Sequence, residues 1–142
     1  MFWKMRRIKQ ELSNEACIQI LNRGTSAVLA VYRENGYLYA VPLSYVYEDS
    51  NIYFHSALSG HKLDANKSNS KVPFCVIDQD EIIPEEYTTY FRSVIAFGTA
   101  KVLELESDKK QALQTLTAKY SPKQVQRRME EIKKLIKNVC MI

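Results

Sequence analysis

The sequence predicts an α+β chain that is mainly β, with helices at its ends and in its connections. Three observations carry this. Apolar runs of strand length and β-type composition recur through the first hundred residues, as in Thr25–Tyr32 and Lys71–Ile77. The dipeptide Asn35-Gly36 lies between two such runs and is a strong hairpin signal, because both central residues of a type I′ turn need positive φ. Helix-type patterning is confined to a segment near the start, a short connection in the middle and the final third. With 142 residues, 46% of them hydrophobic, the chain is long enough for a core, and residues 1–142 read as one domain.

In chain order, Ser13 or Asn14 can cap a helix that runs through Leu21. Gly24 is expected to stop it in a left-handed conformation. Thr25–Tyr32 is the first strand and Tyr37–Tyr47 its hairpin partner. Along that partner Tyr37, Tyr39, Val41, Leu43, Tyr45 and Tyr47 share one face, opposite Leu38, Ala40, Pro42, Ser44 and Val46. Neither set is very polar, so both faces are expected to be covered. Pro42 cannot donate to a ladder, so the strand is predicted to be an edge or to break there, as strands do beside ligands.

Glu48–Asn51 reads as a turn and Ile52–His55 as a third strand. A short helix is expected from Ser59 to about Asn69. Lys71–Ile77 is a fourth strand with Cys75 in its core, and Asp78–Thr88 a polar connection. Thr89–Leu105 is long and β-rich, with Gly98 as a bend or bulge. Ser107-Asp108 caps a helix over Lys109–Tyr120. Ser121 caps another, with Pro122 in its first turn. Val139–Ile142 looks like the start of a strand without room to finish. Five or six strands result.

The formal net charge is +4. Much of the excess lies in Met1–Gln10 and in Lys119–Lys137, which reads as a solvated basic helix face; nucleic acid is not an expected partner, since no readout motif accompanies the charge. The three cysteines are widely spaced and odd in number, which suits free thiols in a reducing compartment and no zinc site. No long apolar stretch follows the basic N-terminus. Neither a secretory signal nor a membrane span is therefore expected, and the expected location is the cytoplasm.

The chemistry is concentrated between Val41 and Asn66. Ser59-Gly60-His61-Lys62 leads into the predicted middle helix. The first N–H groups of a helix have no internal partners and carry partial positive charge. His61 and Lys62 add donors in the same turn, which makes a candidate anion or phosphate site. His55 ends an apolar strand and is the candidate catalytic side chain, although a hydrogen-bonded structural role fits it equally. Only two histidines are present and neither has a carboxylate at metal-ligand spacing, so no metal site is expected. P-loop, G-x-G-x-x-G, H-E-x-x-H and G-x-S-x-G motifs are absent.

Three segments in order carry a family resemblance: Tyr39-Ala40-Val41-Pro42-Leu43-Ser44-Tyr45, Ile52-Tyr53-Phe54-His55-Ser56-Ala57 and Gly60-His61-Lys62-Leu63-Asp64. With Tyr90–Ala100, Met5-Arg6-Arg7 and Gly24–Ala27, they resemble the pyridoxamine 5′-phosphate oxidase-related flavoproteins, in particular their nitroimidazole-resistance branch. The similarity spans Met5 to Tyr120. It implies an FMN-binding split β-barrel that works as a homodimer. It also implies that the Val41, Pro42, Leu43 and Ser44 backbone lies along the flavin ring, with His55, Ser56 and Ala57 near the ribityl chain and ring edge. His61 and Lys62 would hold the phosphate, and Arg92 and Ser93 would complete the site, from the partner chain if the interface requires it. Adjacent strand residues face opposite ways, so Arg92 and Ser93 can share a ligand only through a bulge or a wrapping interface.

The implied function is an FMN-dependent oxidoreductase that passes electrons to a small acceptor, a nitroimidazole-type compound among them, with NAD(P)H as a candidate donor. The alternative is a non-catalytic flavin store or redox sensor; deazaflavin and haem are less expected ligands of the same fold. The sequence departs from the family at His61, where arginine is common, and at its end, where a final strand is expected to be absent, shortened or replaced.

Overall fold

The computed structural model describes residues 2–32, 36–55, 71–124, 126–127, 130 and 139–141. Helix α1, Asn14–Arg23, starts where Ser13 Oγ accepts the Ala16 N–H at 3.2 Å, and it buries Ile20 and Leu21. It runs two residues beyond the predicted end. Gly24 follows at φ −62°, ψ 143°, so the expected left-handed stop is not formed. Glycine is required there by space instead: a Cβ would lie 2.3 Å from Tyr45 Oη and 2.9 Å from Val76 Cγ1.

Strand β1, Ala27–Tyr32, pairs antiparallel with β2, Leu38–Leu43, from Ala27↔Leu43 to Tyr32↔Leu38. Gly36 in the connection has φ +85°, the conformation the hairpin signal requires. The predicted strand Tyr37–Tyr47 is in fact two. The chain leaves the ladder at Ser44–Tyr45 and re-enters a different sheet as β3, Val46–Glu48. Asp49 and Ser50, at φ 49° and 63°, then turn it into β4, Asn51–His55.

Strand β5, Lys71–Ile83, pairs with β6, Thr88–Thr99, in the longest hairpin of the described residues. The expected polar connection over Asp78–Thr88 is thus corrected. The ladder continues to Ile83↔Thr88, and only Pro84–Glu86 and Tyr87 form the turn. Gly98 is not a bulge, since it pairs regularly with Val72; the irregularity lies between Ile77 and Gln79. Strand β7, Lys101–Val102, and β8, Val139–Met141, follow. Although short, β8 sits between β4 and β7 and pairs with both.

Eight strands therefore form two four-stranded sheets among the described residues, ordered β2-β1-β5-β6 and β3-β4-β8-β7. The chain crosses to the second sheet after β2, returns to the first between β4 and β5, and crosses again at Ala100, giving a split barrel. Its interior is filled by Leu29, Val31, Tyr45, Phe54, Phe74 and Val76, each 3% exposed or less. At roughly 1.5–3 kcal/mol for each fully buried large side chain, this interior dominates the fold's stability. The Tyr45 ring meets Phe74 edge-on at 5.1 Å, a favoured aromatic geometry.

Helix α2, Glu106–Tyr120, begins three residues earlier than predicted, with no side-chain cap at Leu105. Its Ala112 and Leu113 cover the outer face of the second sheet with Leu103, Tyr53 and Met141. The predicted helix Ser59–Asn69 lies outside the described residues. So does most of the one after Ser121, of which Gln126, Arg127 and Glu130 are helical. Among the described residues no helix is long and apolar enough to cross a membrane.

Candidate functional site

The outer face of the first sheet is its most unusual surface. Strand alternation puts Leu29, Val31, Phe74, Val76 and Val94 inside, so the intervening residues point out. The register aligns Pro42, Val28, Cys75 and Ile95 in one row across all four strands. Val28 is 39% exposed, Leu38 74%, Ile77 64%, Ile95 58% and Phe97 57%. The expectation that both faces of the β2 segment are covered thus fails within one chain. Tyr39, Val41 and Leu43 pack on the core, whereas Leu38, Ala40 and Pro42 are exposed. Cys75 is likewise half-buried on the outer face and not part of the core.

Strand β2 is an edge, as Pro42 predicts, so its outward backbone N–H and C=O groups have no ladder partner. Val41–Ser44 therefore offer a ligand backbone donors and acceptors plus the Pro42 ring, while the Val41 and Leu43 side chains are engaged in the core. His55 closes β4 opposite Val139, half-buried and on the same strand face as Tyr53. Burial pushes the Tyr53 hydroxyl up, with the carboxylates of Glu48, Asp49 and Asp108 adding to the shift. Ser56, Ala57, His61 and Lys62 lie outside the described residues.

Arg92 and Ser93 lie on β6, directly opposite the bulge of β5: Ser93 pairs with Ile77 and Arg92 with Gln79, leaving Asp78 as the extra residue. The bulge is on the partner strand, so alternation along β6 is unbroken. Ser93 shares the outer face with Ile95 and Phe97, and Arg92 faces the other way. Arg92 reaches Gln79 Oε1 from Nη2 at 3.1 Å and comes within 3.7 Å of Asp78 Oδ2. Asp78 in turn receives two bonds from Arg23 at 2.6 and 2.7 Å, the bidentate geometry that suits guanidinium and carboxylate. Those bonds hold the Asp78 carboxyl below the usual carboxylate range, and Arg92 acts in the same direction. This network was invisible in the sequence, because Arg23 and Asp78 are 55 residues apart with no shared motif.

Among the described residues of one chain, the expected site residues lie on three strands of two sheets. Strands β2 and β6 are the two edges of the first sheet, three strand spacings or about 14 Å apart. His55 belongs to the other sheet. Among the described residues no group of three His, Cys, Asp or Glu side chains could hold a metal ion.

A sequence profile of the pyridoxamine 5′-phosphate oxidase family matches residues 13–139. No curated protein matches the chain. Among solved structures, a candidate 5-nitroimidazole antibiotic resistance protein from Bacteroides thetaiotaomicron superposes with a TM-score of 0.69 at 18% identity, over 92% of this chain and 78% of that one. The flavocytochrome Anf3 from Azotobacter vinelandii gives 0.78 at 20% identity, over 97% and 67%. An FAD and haem binding protein from Mycobacterium smegmatis gives 0.69 at 20% identity, over 92% and 65%. The chain spans about two thirds of the last two. At these identities the likeness is one of fold.

Proposed function

Because this chain belongs to the pyridoxamine 5′-phosphate oxidase family, we propose that it binds FMN between two copies of itself and acts as an FMN-dependent oxidoreductase on a small acceptor. One observation carries the reading: Val41–Ser44 and the Arg92–Ser93 pair stand at opposite edges of one sheet, whose outer face, which Ser93 shares, is apolar and exposed. A second copy would bring the β6 edge of one chain to the β2 edge of the other, so that both sets meet one ligand. An isologous pair, in which each copy presents the same face, does so twice over.

The residues fit a flavin. A fused ring with apolar faces and polar edges suits an exposed strand edge that supplies backbone donors and acceptors beside Pro42, Ala40 and Val28. Lys62 and His61 would neutralise and orient the phosphate. Arg92, steadied by Gln79 and Asp78, would add positive charge from the partner. His55 would hold or move a proton beside the ring, and Ser56 and Ala57 would line the ribityl chain. When bound, the flavin supplies the electron and hydride transfer, and the protein supplies position, charge and exclusion of water. The flavin-binding and nitroimidazole-resistance descriptions of the structural neighbours support this cofactor class and a nitro-type acceptor. A cytoplasmic setting, with NAD(P)H as donor, goes with the same reading.

The test is an absorption spectrum of freshly purified protein, then FMN titration and NAD(P)H addition. Flavin bands bleached by NAD(P)H and restored by a nitro acceptor are expected. Flavin uptake without turnover would replace the oxidoreductase by a flavin store or redox sensor. A colourless protein that takes up no FMN would overturn the reading.

A further inference from the structure

Beyond the bulge, the β5–β6 hairpin runs on as a two-stranded ribbon from Gln79 to Arg92, and every residue from Glu85 to Phe91 is exposed, as are Asp80, Glu81 and Ile82. Two-stranded ribbons are marginal in water unless something covers them. This one exposes Ile82 at 73%, Tyr87 at 97% and Phe91 at 58%. Its charge is one-sided: Asp80, Glu81, Glu85 and Glu86 with no lysine or arginine between Gln79 and Phe91. Among the described residues none of these four acids pairs with a cation, since the ion pairs there all involve Asp78.

The N-terminal segment is its complement. Lys4, Arg6, Arg7 and Lys9 occur there without an acid before Glu11, and all four are exposed. Trp3 is 97% exposed, and Phe2 lies against Phe97 on the apolar outer face of the first sheet, ring centroids 4.7 Å apart. That anchors the segment near the base of the hairpin. The tip at Tyr87 lies ten residues further along the strand, about 33 Å away. The two surfaces match in charge and in aromatic content but stand at opposite ends of one long element.

We propose that the acidic ribbon of one copy docks on the basic, aromatic N-terminal segment of a second copy, twice per dimer. The inference rests on the dimer of the preceding subsection and adds a second contact to it. Opposite charge guides the pairing, guanidinium groups stack on Tyr87 and Phe91, and both apolar ends leave water. The occupant is a second copy because both halves of the match are present in each chain, and a two-fold axis satisfies both at once.

The test is sedimentation equilibrium of the full chain at low and at molar salt, for the native sequence, for E85K/E86K, and for E85K/E86K combined with R6E/R7E. The native chain should dimerise more weakly at high salt. The tip reversal should weaken dimerisation at least about tenfold, and the combined swap should recover most of the loss. A native dimer indifferent to salt, to E85K/E86K and to the swap would overturn the docking while leaving the dimer intact. A native chain monomeric at every concentration would overturn the dimer reading itself. The salt series on the native chain decides the matter if a variant fails to fold.

Discussion

The Lys119 ammonium lies 4.2 Å from the centroid of the Tyr45 ring and donates to the Tyr45 carbonyl at 3.0 Å. It also donates to the Gly24 carbonyl. The neighbouring Tyr120 hydroxyl accepts the Tyr45 N–H at 3.0 Å, and its single hydrogen serves the Thr25 and Tyr45 carbonyls. The end of α2 thus clamps the chain where it leaves α1 and where it crosses from β2 to the second sheet. Lys119, expected in a solvated basic face, is instead half-buried, and burial pushes its pKa down.

Removing the clamp should loosen the crossover that follows Val41–Ser44. Lys119→Ala leaves the Gly24 and Tyr45 carbonyls without this donor, at a cost of about 1–3 kcal/mol. Urea unfolding should show a lower midpoint, and hydrogen exchange should show faster exchange around Tyr45. An unchanged midpoint would mean that water replaces the amine at no cost.

Gly24→Ala should destabilise more through crowding than through backbone strain. Its backbone is one alanine adopts, but the added Cβ meets Tyr45 Oη and Val76 Cγ1. Overpacking of this kind costs about 1–3 kcal/mol. Combining it with Tyr45→Phe, which removes the oxygen, should recover part of the loss in a double-mutant cycle. A purely additive pair would place the clash elsewhere.

The buried Tyr45 hydroxyl donates to the Leu21 carbonyl at 2.7 Å, and burial, more than the nearby Tyr120 and Asp78, pushes its pKa up to about 12. An unfolded tyrosine ionises near 10. The sign follows directly: below about pH 10 the contribution is intact, and it is lost as pH rises toward 12, because the unfolded chain ionises first. Denaturation at increasing pH should therefore show an alkaline decline that is shallower in Tyr45→Phe, although that variant starts from lower stability.

Asp78 gives the opposite dependence. Its folded pKa is depressed, first by the bonds from Arg23. Its stabilising effect is present above the ordinary carboxylate value and is lost as pH falls through the folded one. Asp78→Asn should be less stable than the native chain near neutrality and approach it in acid. It should also release Arg92, so FMN affinity should fall. A stability gap independent of pH would contradict the ion-pair assignment.

Much of the fold was legible because local chemistry and tertiary structure agree. Ser13 caps α1, Gly36 takes the positive φ of a hairpin, and Pro42 marks an edge strand. The failures have physical causes. The ribbon beyond Asp78 is polar because neither face is buried, so its alternation carries no hydrophobic signal. The bulge sits at Asp78, a residue with no intrinsic preference for one, because Arg23 holds it from α1. The break at Ser44–Tyr45 is hidden by an unbroken run of alternating apolar residues. Tyr45, the deepest of them, belongs to the core through contacts remote in sequence. Of the candidate site, the strand-borne residues could be located, but their separation across the sheet follows from strand order, which no local motif encodes.

The central claim is flavin binding between two copies, and FMN titration with the assembly mass followed in parallel tests it most directly. The native chain should bind one FMN per chain as a dimer. Lys62→Ala, folded by circular dichroism, should bind about 10–100-fold more weakly, the worth of one charged hydrogen bond. Saturable uptake by a monomer, or equal affinity in Lys62→Ala, would contradict the interface or the phosphate assignment respectively. No uptake at all would contradict the claim itself.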